Sequence, residues 1–248
     1  YVIVSESCAL DIIGATFVRD IAPGEILFID KKQELNSNLF VDEIKPHHCI
    51  FELIYFSRPD STFKGLSIYH FRKELGRQLA RESPVEADYV ISVPDSGTPA
   101  AIGFAEELKL PFSEGLIKNR YIGRTFIQPS QMLRELGIRL KLNPLKDIIA
   151  GKEIIVVDDS IVRGNTSRKI VRLIKESGAK EVHMRISSPP VQWPCFYGID
   201  IDSRDQLIAA KLKSVDEITQ FIEADSLRYI SHDGMIKATG LMRDTFCT

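Results

Sequence analysis

The stretch 154–167, Ile-Ile-Val-Val-Asp-Asp-Ser-Ile-Val-Arg-Gly-Asn-Thr-Ser, constrains this chain more than any other. Residues 154–157 are all β-branched, the pattern of a short parallel strand buried on both faces, and Gly151-Lys152 supplies a turn into it. Asp158 and Asp159 stand at the carboxyl end of that strand. A small, hydroxyl-rich loop, 160–167, follows them, and a helix pattern runs from 168 to 177.

A helix N-terminus carries unpaired N–H groups and the positive end of the helix dipole, so a loop that feeds it makes a natural phosphate cradle. Gly164 lets the backbone approach a ligand closely, and Thr166 and Ser167 add hydroxyl donors. Two adjacent carboxylates suit a site that must also hold ribose hydroxyls and a hard cation such as magnesium, which prefers oxygen ligands. An ordinary strand-to-helix turn with an Asp-Ser cap would share the acidic pair, but the whole run is more specific. It resembles the phosphoribosyl pyrophosphate (PRPP) loop of type I phosphoribosyltransferases.

Elsewhere the chain alternates strand and helix patterns. Residues 51–56 read as a strand, 69–81 as a helix with Phe71, Leu75 and Leu79 at four-residue spacing, and 89–93 as a buried strand. The turn 94–99 leads into a helix over 100–108; 112–117 and 182–187 read as further strands, and 205–212 and 214–223 as helices. This alternation predicts a mostly parallel, doubly wound α/β sheet whose ligands bind beyond the carboxyl ends of the strands. The turns at 94–99 and 158–167 share that edge. Before this unit, residues 1–7 and 26–29 carry strand patterns, Pro23-Gly24 marks a turn, and 31–50 reads as polar linker.

With 248 residues, 44% hydrophobic and 27% charged, the chain has the composition of a globular protein with room for one large α/β domain and an appendage. A net charge of −2 does not indicate a broad nucleic-acid-binding surface and leaves room for a local basic patch. No apolar run approaches a membrane span and no signal peptide opens the chain, so the expected location is the cytoplasm, or an organelle interior if a targeting segment was removed. Cys8, Cys49, Cys195 and Cys247 are scattered without a Cys-x-x-Cys pair, which by itself suggests buried thiols rather than disulfides.

The segment 118–142 holds six basic residues and one acidic one, Glu135. A lid closing over a pyrophosphate needs such charge, although a solvated basic surface has the same composition. Several motifs together sharpen the reading: Lys118-Asn119-Arg120-Tyr121, Gly123-Arg124-Thr125-Phe126, Asp158-Asp159-Ser160-Ile161-Val162-Arg163-Gly164, residues 55–61 and residues 195–200. The chain, from about residue 5 to its end, is similar to the glutamine PRPP amidotransferase family.

That resemblance implies a type I phosphoribosyltransferase fold preceded by the β-rich tail of an N-terminal-nucleophile glutaminase. Residues 1–42 would be the glutaminase remnant and linker, and 43–248 the phosphoribosyltransferase domain, with a fragment expected at both ends. It implies transfer of glutamine-derived ammonia to carbon 1 of PRPP, giving 5-phosphoribosylamine and pyrophosphate in the first committed step of purine synthesis. Residue 1 is Tyr1 where the family has a processed cysteine nucleophile, so glutamine hydrolysis is not expected of this chain.

Carried over by position, the PRPP-binding residues are Asp158, Asp159, Ser160, Arg163, Gly164, Asn165, Thr166 and Ser167. Ser96 joins Asp158 and Asp159 at the Mg2+ site, and Lys118, Tyr121 and Arg124 are candidates for pyrophosphate or nucleotide contact. Asn165 replaces the family's usual threonine and keeps a polar side chain there. In the family's iron–sulfur branch four cysteines hold a [4Fe-4S] cluster; Cys49, Cys195 and Cys247 match three of them. Purine nucleotide feedback inhibitors and a homotetramer follow from the family alone. A salvage base phosphoribosyltransferase and a PRPP-sensing regulator of the same fold are the alternatives, and no helix-turn-helix pattern supports a DNA-reading regulator.

Overall fold

Four strands, Tyr89–Ser92 (β1), Glu153–Asp158 (β2), Glu181–Ile186 (β3) and Ser226–Tyr229 (β4), form one parallel sheet in the order β4-β3-β2-β1. The structure, a computed structural model, describes residues 1–41, 44–119, 141–201 and 203–248. Its helices include Ile68–Glu82 (α1), Thr98–Leu108 (α2), Asn165–Glu176 (α3), Val215–Ile222 (α4) and His232–Thr239 (α5).

All four residues 154–157 are fully buried, as an uninterrupted β-branched run requires. One face of the sheet, with Ile91, Ile154, Val156, Val182, Met184 and Leu227, packs against α3 and α4 through Ile170, Ile174, Ile218 and Ile222. Ser167, Ile170, Val171 and Ile174 are the buried residues of α3, a helical stripe at i, i+3, i+4 and i+7. The other face carries the buried Val90, Ile155 and Val157, and α2 packs there on β1 and β2. Helices α1 and α2 meet backbone to backbone: a Cβ on Gly76 would stand 1.8 Å from the Ala100 oxygen, and one on Gly103 1.9 Å from that of Lys73.

Val90 gives both its backbone groups to the segment beyond α2, its N–H to the Pro111 oxygen (3.0 Å) and its oxygen to the Ser113 N–H (3.0 Å). That segment therefore flanks β1 on the side away from β2. The chain winds one way from β1 through α2, and the other way from β2 through α3 to β3. Such a reversal opens a crevice at the carboxyl ends of the two strands where it happens. Here those strands are β1 and β2, which end at the two predicted turns.

The chain divides into two units, Tyr1–Ile68 with Leu241–Thr248, and Tyr69–Gly240, the second holding the sheet. The first contains a helix, Cys8–Ile13, and a hairpin of Glu25–Ile29 with Leu35–Leu39. Residues 1–4 carry no strand, contrary to expectation. The expected linker after residue 31 instead contains the hairpin's second strand, because the Asp30 carboxylate accepts the N–H groups of Lys32 and Glu34 (2.8 and 2.9 Å) and turns the chain back. The expected strand over 51–56 is a helical turn, Glu52–Phe56. Its buried residues Leu53 and Ile54 and the flanking Ile50 and Ser57 follow helical spacing, and the rings of Phe51, Tyr55 and Phe56 cluster with centroids 5.1–5.9 Å apart.

In the second unit, the helix expected over 205–212 is split into two short turns, Arg204–Gln206 and Ile208–Lys211. Strand β4 and helix α5 lie where no element was expected. No described helix is long and apolar enough to cross a membrane.

Candidate active site

The acidic pair ends β2 in the crevice, with Asp158 7% and Asp159 5% exposed. Two hydroxyls hold Asp159, one from each turn: Ser96 donates to its Oδ1 and Ser160 to its Oδ2, both at 2.6 Å. The Asp159 N–H donates to Asp158 Oδ1 at 2.9 Å. Burial, and then the charge of Asp159, push the Asp158 carboxyl well above the usual carboxylate range. A divalent cation bound to both carboxyls would offset that cost and favour their ionised form.

The β1 turn reaches Asp159 because residue 97 has no side chain. A Cβ on Gly97 would stand 2.7 Å from the Val157 oxygen and 3.2 Å from the Asp158 Cα. The peptide bond between Pro94 and Asp95 in this turn is cis.

On the β2 side, Gly164 takes a left-handed conformation (φ 75°) and caps α3, whose first turn receives no side-chain cap. Its N-terminal N–H groups thus point into the loop, as a phosphate cradle requires. Asn165 and Thr166 are exposed at the mouth, while Ser167 is buried beneath them. A strap over 204–211 braces this loop: the Ile208 N–H donates to the Val162 oxygen at 2.9 Å, and the Ile208 Cδ1 would lie 2.5 Å from a Cβ on Gly164. Arg163 hydrogen-bonds the Gln206 side chain. Beside them opens a cavity of about 410 Å³ lined by Arg163, Asn165, Asp205, Gln206, Lys211 and Phe221 among others.

Lys118, at the end of the strand Leu116–Lys118, forms an ion pair with Asp95 of the β1 turn. Tyr121 and Arg124 lie outside the described residues, as does most of the expected lid. Asp95, Gly97, Gln206 and Ile208 are site-forming residues that the sequence reading did not single out. The spacing Pro94-Asp95-Ser96-Gly97 after a buried strand could have drawn attention to the first two.

Of the three candidate cluster cysteines, Cys49 and Cys247 are register partners on the parallel strands His48–Cys49 and Phe246–Cys247. Cys195 lies in the other unit, where the Tyr197 N–H donates to its Sγ at 3.4 Å. Neighbouring backbone N–H groups, that of Tyr197 first, pull its thiol below the ordinary range, which favours the thiolate a metal ligand needs. Burial pushes the Cys49 thiol up. Among the described residues, no three His, Cys, Asp or Glu side chains stand together as a metal site.

A parallel sheet with its reversal at β1 and β2, an acidic pair and a helix-capped phosphate loop there define a type I phosphoribosyltransferase fold. The phosphoribosyl transferase domain family matches residues 70–187. Along its whole length the chain is similar to curated amidophosphoribosyltransferases. It is 59% identical over 248 residues to the enzyme of Synechococcus elongatus, covering 100% of this chain and 50% of that protein. It is 52% identical to that of Bacillus subtilis, over 98% of this chain and 51% of the relative. The chain thus spans about half the length of the curated relatives it matches.

Two solved structures agree. One, of the allosteric regulatory enzyme of purine biosynthesis, superposes with a TM-score of 0.89 at 51% identity, covering 98% of this chain and 53% of the other. The other, glutamine PRPP amidotransferase from B. subtilis complexed with ADP and GMP, gives 0.87 at 52%, covering 95% and 51%.

Proposed function

We propose that this chain is the phosphoribosyl-transferring part of an amidophosphoribosyltransferase. The whole protein would move ammonia, released from glutamine, to carbon 1 of PRPP, forming 5-phosphoribosylamine and pyrophosphate and committing material to purine synthesis. The observation that carries this reading is Asp159, gripped by a hydroxyl from each of two turns directly before a helix N-terminus that can take a phosphate.

In this mechanism the α3 N-terminus binds the 5-phosphate through backbone N–H groups, with Thr166 and Ser167 beside it. Asp158 and Asp159 fix the ribose hydroxyls and orient the sugar so that carbon 1 faces the crevice. Lys118, Tyr121 and Arg124 are the candidates to contact the departing pyrophosphate, the two cations among them neutralising its charge. Positive charge develops on the sugar as the leaving group departs, so positioning and charge stabilisation suffice and no protein nucleophile is required. Asp158, Asp159 and Ser96 would hold Mg2+, which would supply charge neutralisation for the pyrophosphate when bound. The carboxyl oxygens of this pair are hard donors of the kind that ion takes, and its charge would offset the burial that raises the Asp158 carboxyl.

Residues 1–42 are assigned to the tail of a glutaminase domain. Cys49 and Cys247, side by side, and Cys195, with its N–H donor, have the donor chemistry of ligands to a [4Fe-4S] cluster, which would serve as a structural staple. ADP and GMP in the B. subtilis complex make purine nucleotides the expected regulators. A homotetramer in the cytoplasm completes the reading.

The test uses the full-length protein with PRPP, Mg2+ and either glutamine or high ammonia. Phosphoribosylamine and pyrophosphate should form in equal amounts. Pyrophosphate release that survives replacement of both Asp158 and Asp159 by alanine would sink the site assignment. For the cluster, anaerobically purified full-length protein should contain iron and sulfide that a Cys49→Ser, Cys247→Ser variant lacks; folded wild-type protein free of iron refutes it.

A further inference from the structure

We propose that Asp95 is an internal counter-ion for Lys118, occupying the lysine until a pyrophosphate-bearing ligand displaces it. The proposal deepens the phosphoribosyltransferase reading of this site and rests on it. The Lys118 Nζ and the Asp95 Oδ2 are in contact, yet the two residues are 23 positions apart and come from different elements. Lys118 ends the strand Leu116–Lys118, which pairs antiparallel with Leu142–Pro144, so its place is fixed at the base of the segment that follows. Asp95 is next to Ser96, whose hydroxyl grips Asp159. The ion pair therefore ties the strand Leu116–Lys118 to the turn whose next residue holds Asp159.

The Asp95 side chain is 78% exposed and that of Lys118 48%. An ion pair in water is weak, and a carboxylate oxygen on an ammonium group mimics the contact a phosphate oxygen would make. The pair holds Lys118 beside the turn that carries Ser96 and is too weak to resist a ligand of higher charge. Asp95 has the opposite sense to its neighbour: Ser96 helps to build the site, while Asp95 competes for one of its cations. It makes pyrophosphate binding weaker than the bare site would allow, which favours release of the product.

The test measures binding of inorganic pyrophosphate with Mg2+ to the full-length protein by calorimetry at low ionic strength. Four proteins are compared: wild type, Asp95→Asn, Lys118→Met and the double variant. Asp95→Asn should tighten binding about two- to five-fold, the range an exposed pair allows. It should have no effect in the Lys118→Met background, and salt should shrink the gain. Asp95→Ser should reproduce the result, which guards against a local misfold of one variant. Unchanged or weaker binding in both Asp95 variants overturns the proposal, as does an equal gain with and without Lys118, which would mark a general loss of negative charge. Wild-type protein that binds no pyrophosphate would instead overturn the phosphoribosyltransferase reading itself.

Discussion

The turns that end β1 and β2 solve one geometric problem in two ways. Each must bring polar groups to the crevice without filling it, and each uses a glycine. Gly97 has an ordinary φ and is needed because rigid backbone, the Val157 oxygen and Asp158 Cα, lies where its Cβ would be. Gly164 is needed for its left-handed φ of 75°, and the atoms nearest a Cβ there are side chains, those of Ile208 and Phe221. The first turn is a fixed buttress behind Asp159; the second is a cradle whose shape depends on a strap of neighbouring side chains.

The largest expected effect tests what both turns serve. Replacing Asp158 and Asp159 together with alanine should lower phosphoribosylamine formation in the full-length protein by about a thousand-fold or more, since it removes the groups that orient the sugar. Steady-state kinetics with ammonia as the nitrogen source isolates this step. A loss under tenfold would mean the turns converge on the wrong residues.

The next pair of variants breaks the comparison between the glycines. Gly97→Ala should destabilise by about 2–4 kcal/mol, measured by denaturant unfolding, because the clashing atoms are backbone and cannot move without shifting β2. Gly164→Ala should cost about 1–3 kcal/mol through φ strain and the Ile208 contact. Adding Ile208→Ala should recover part of the Gly164→Ala loss. No single side-chain truncation should recover that of Gly97→Ala. Equal costs and equal rescue would remove the distinction between buttress and cradle.

Why one of these turns is legible in sequence and the other only in part follows from the same contrast. The β2 turn is local: strand, acidic pair, glycine and helix start are contiguous between 153 and 176, so the residue order carries the geometry. The β1 turn acts through contacts over long separations, Ser96 to Asp159 and Asp95 to Lys118, which no local pattern encodes. Buried β-branched strands and the four-residue spacing of Phe71, Leu75 and Leu79 were readable for the same local reason. Strand β4 was not, because Ser226 and Arg228 make half its surface polar; Ser226 bonds both His183 (3.0 Å) and the buried Arg185 (3.0 Å). The run 51–56 misled because adjacent aromatic and β-branched residues suit a strand, whereas its buried positions follow a helix.

The smallest expected effect concerns the two hydroxyls on Asp159. Ser96→Ala removes the donor to Oδ1 that the buttress holds in place, and no neighbour in sequence can substitute for it. Ser160→Ala removes the donor to Oδ2, but Ser160 is adjacent to Asp159 on the cradle side, and water at the mouth can take its role. A hydrogen bond to a charged group contributes about 1.5–3 kcal/mol. Ser96→Ala should therefore raise KM for PRPP about tenfold, at the low end of that range, and Ser160→Ala only about two- to threefold. With both removed, Asp159 loses the two contacts that fix its plane, so the double variant should lose more than the product of the single losses. Strict additivity would show that the turns hold Asp159 independently. Equal single effects would show that the buttress is no more rigid than the cradle.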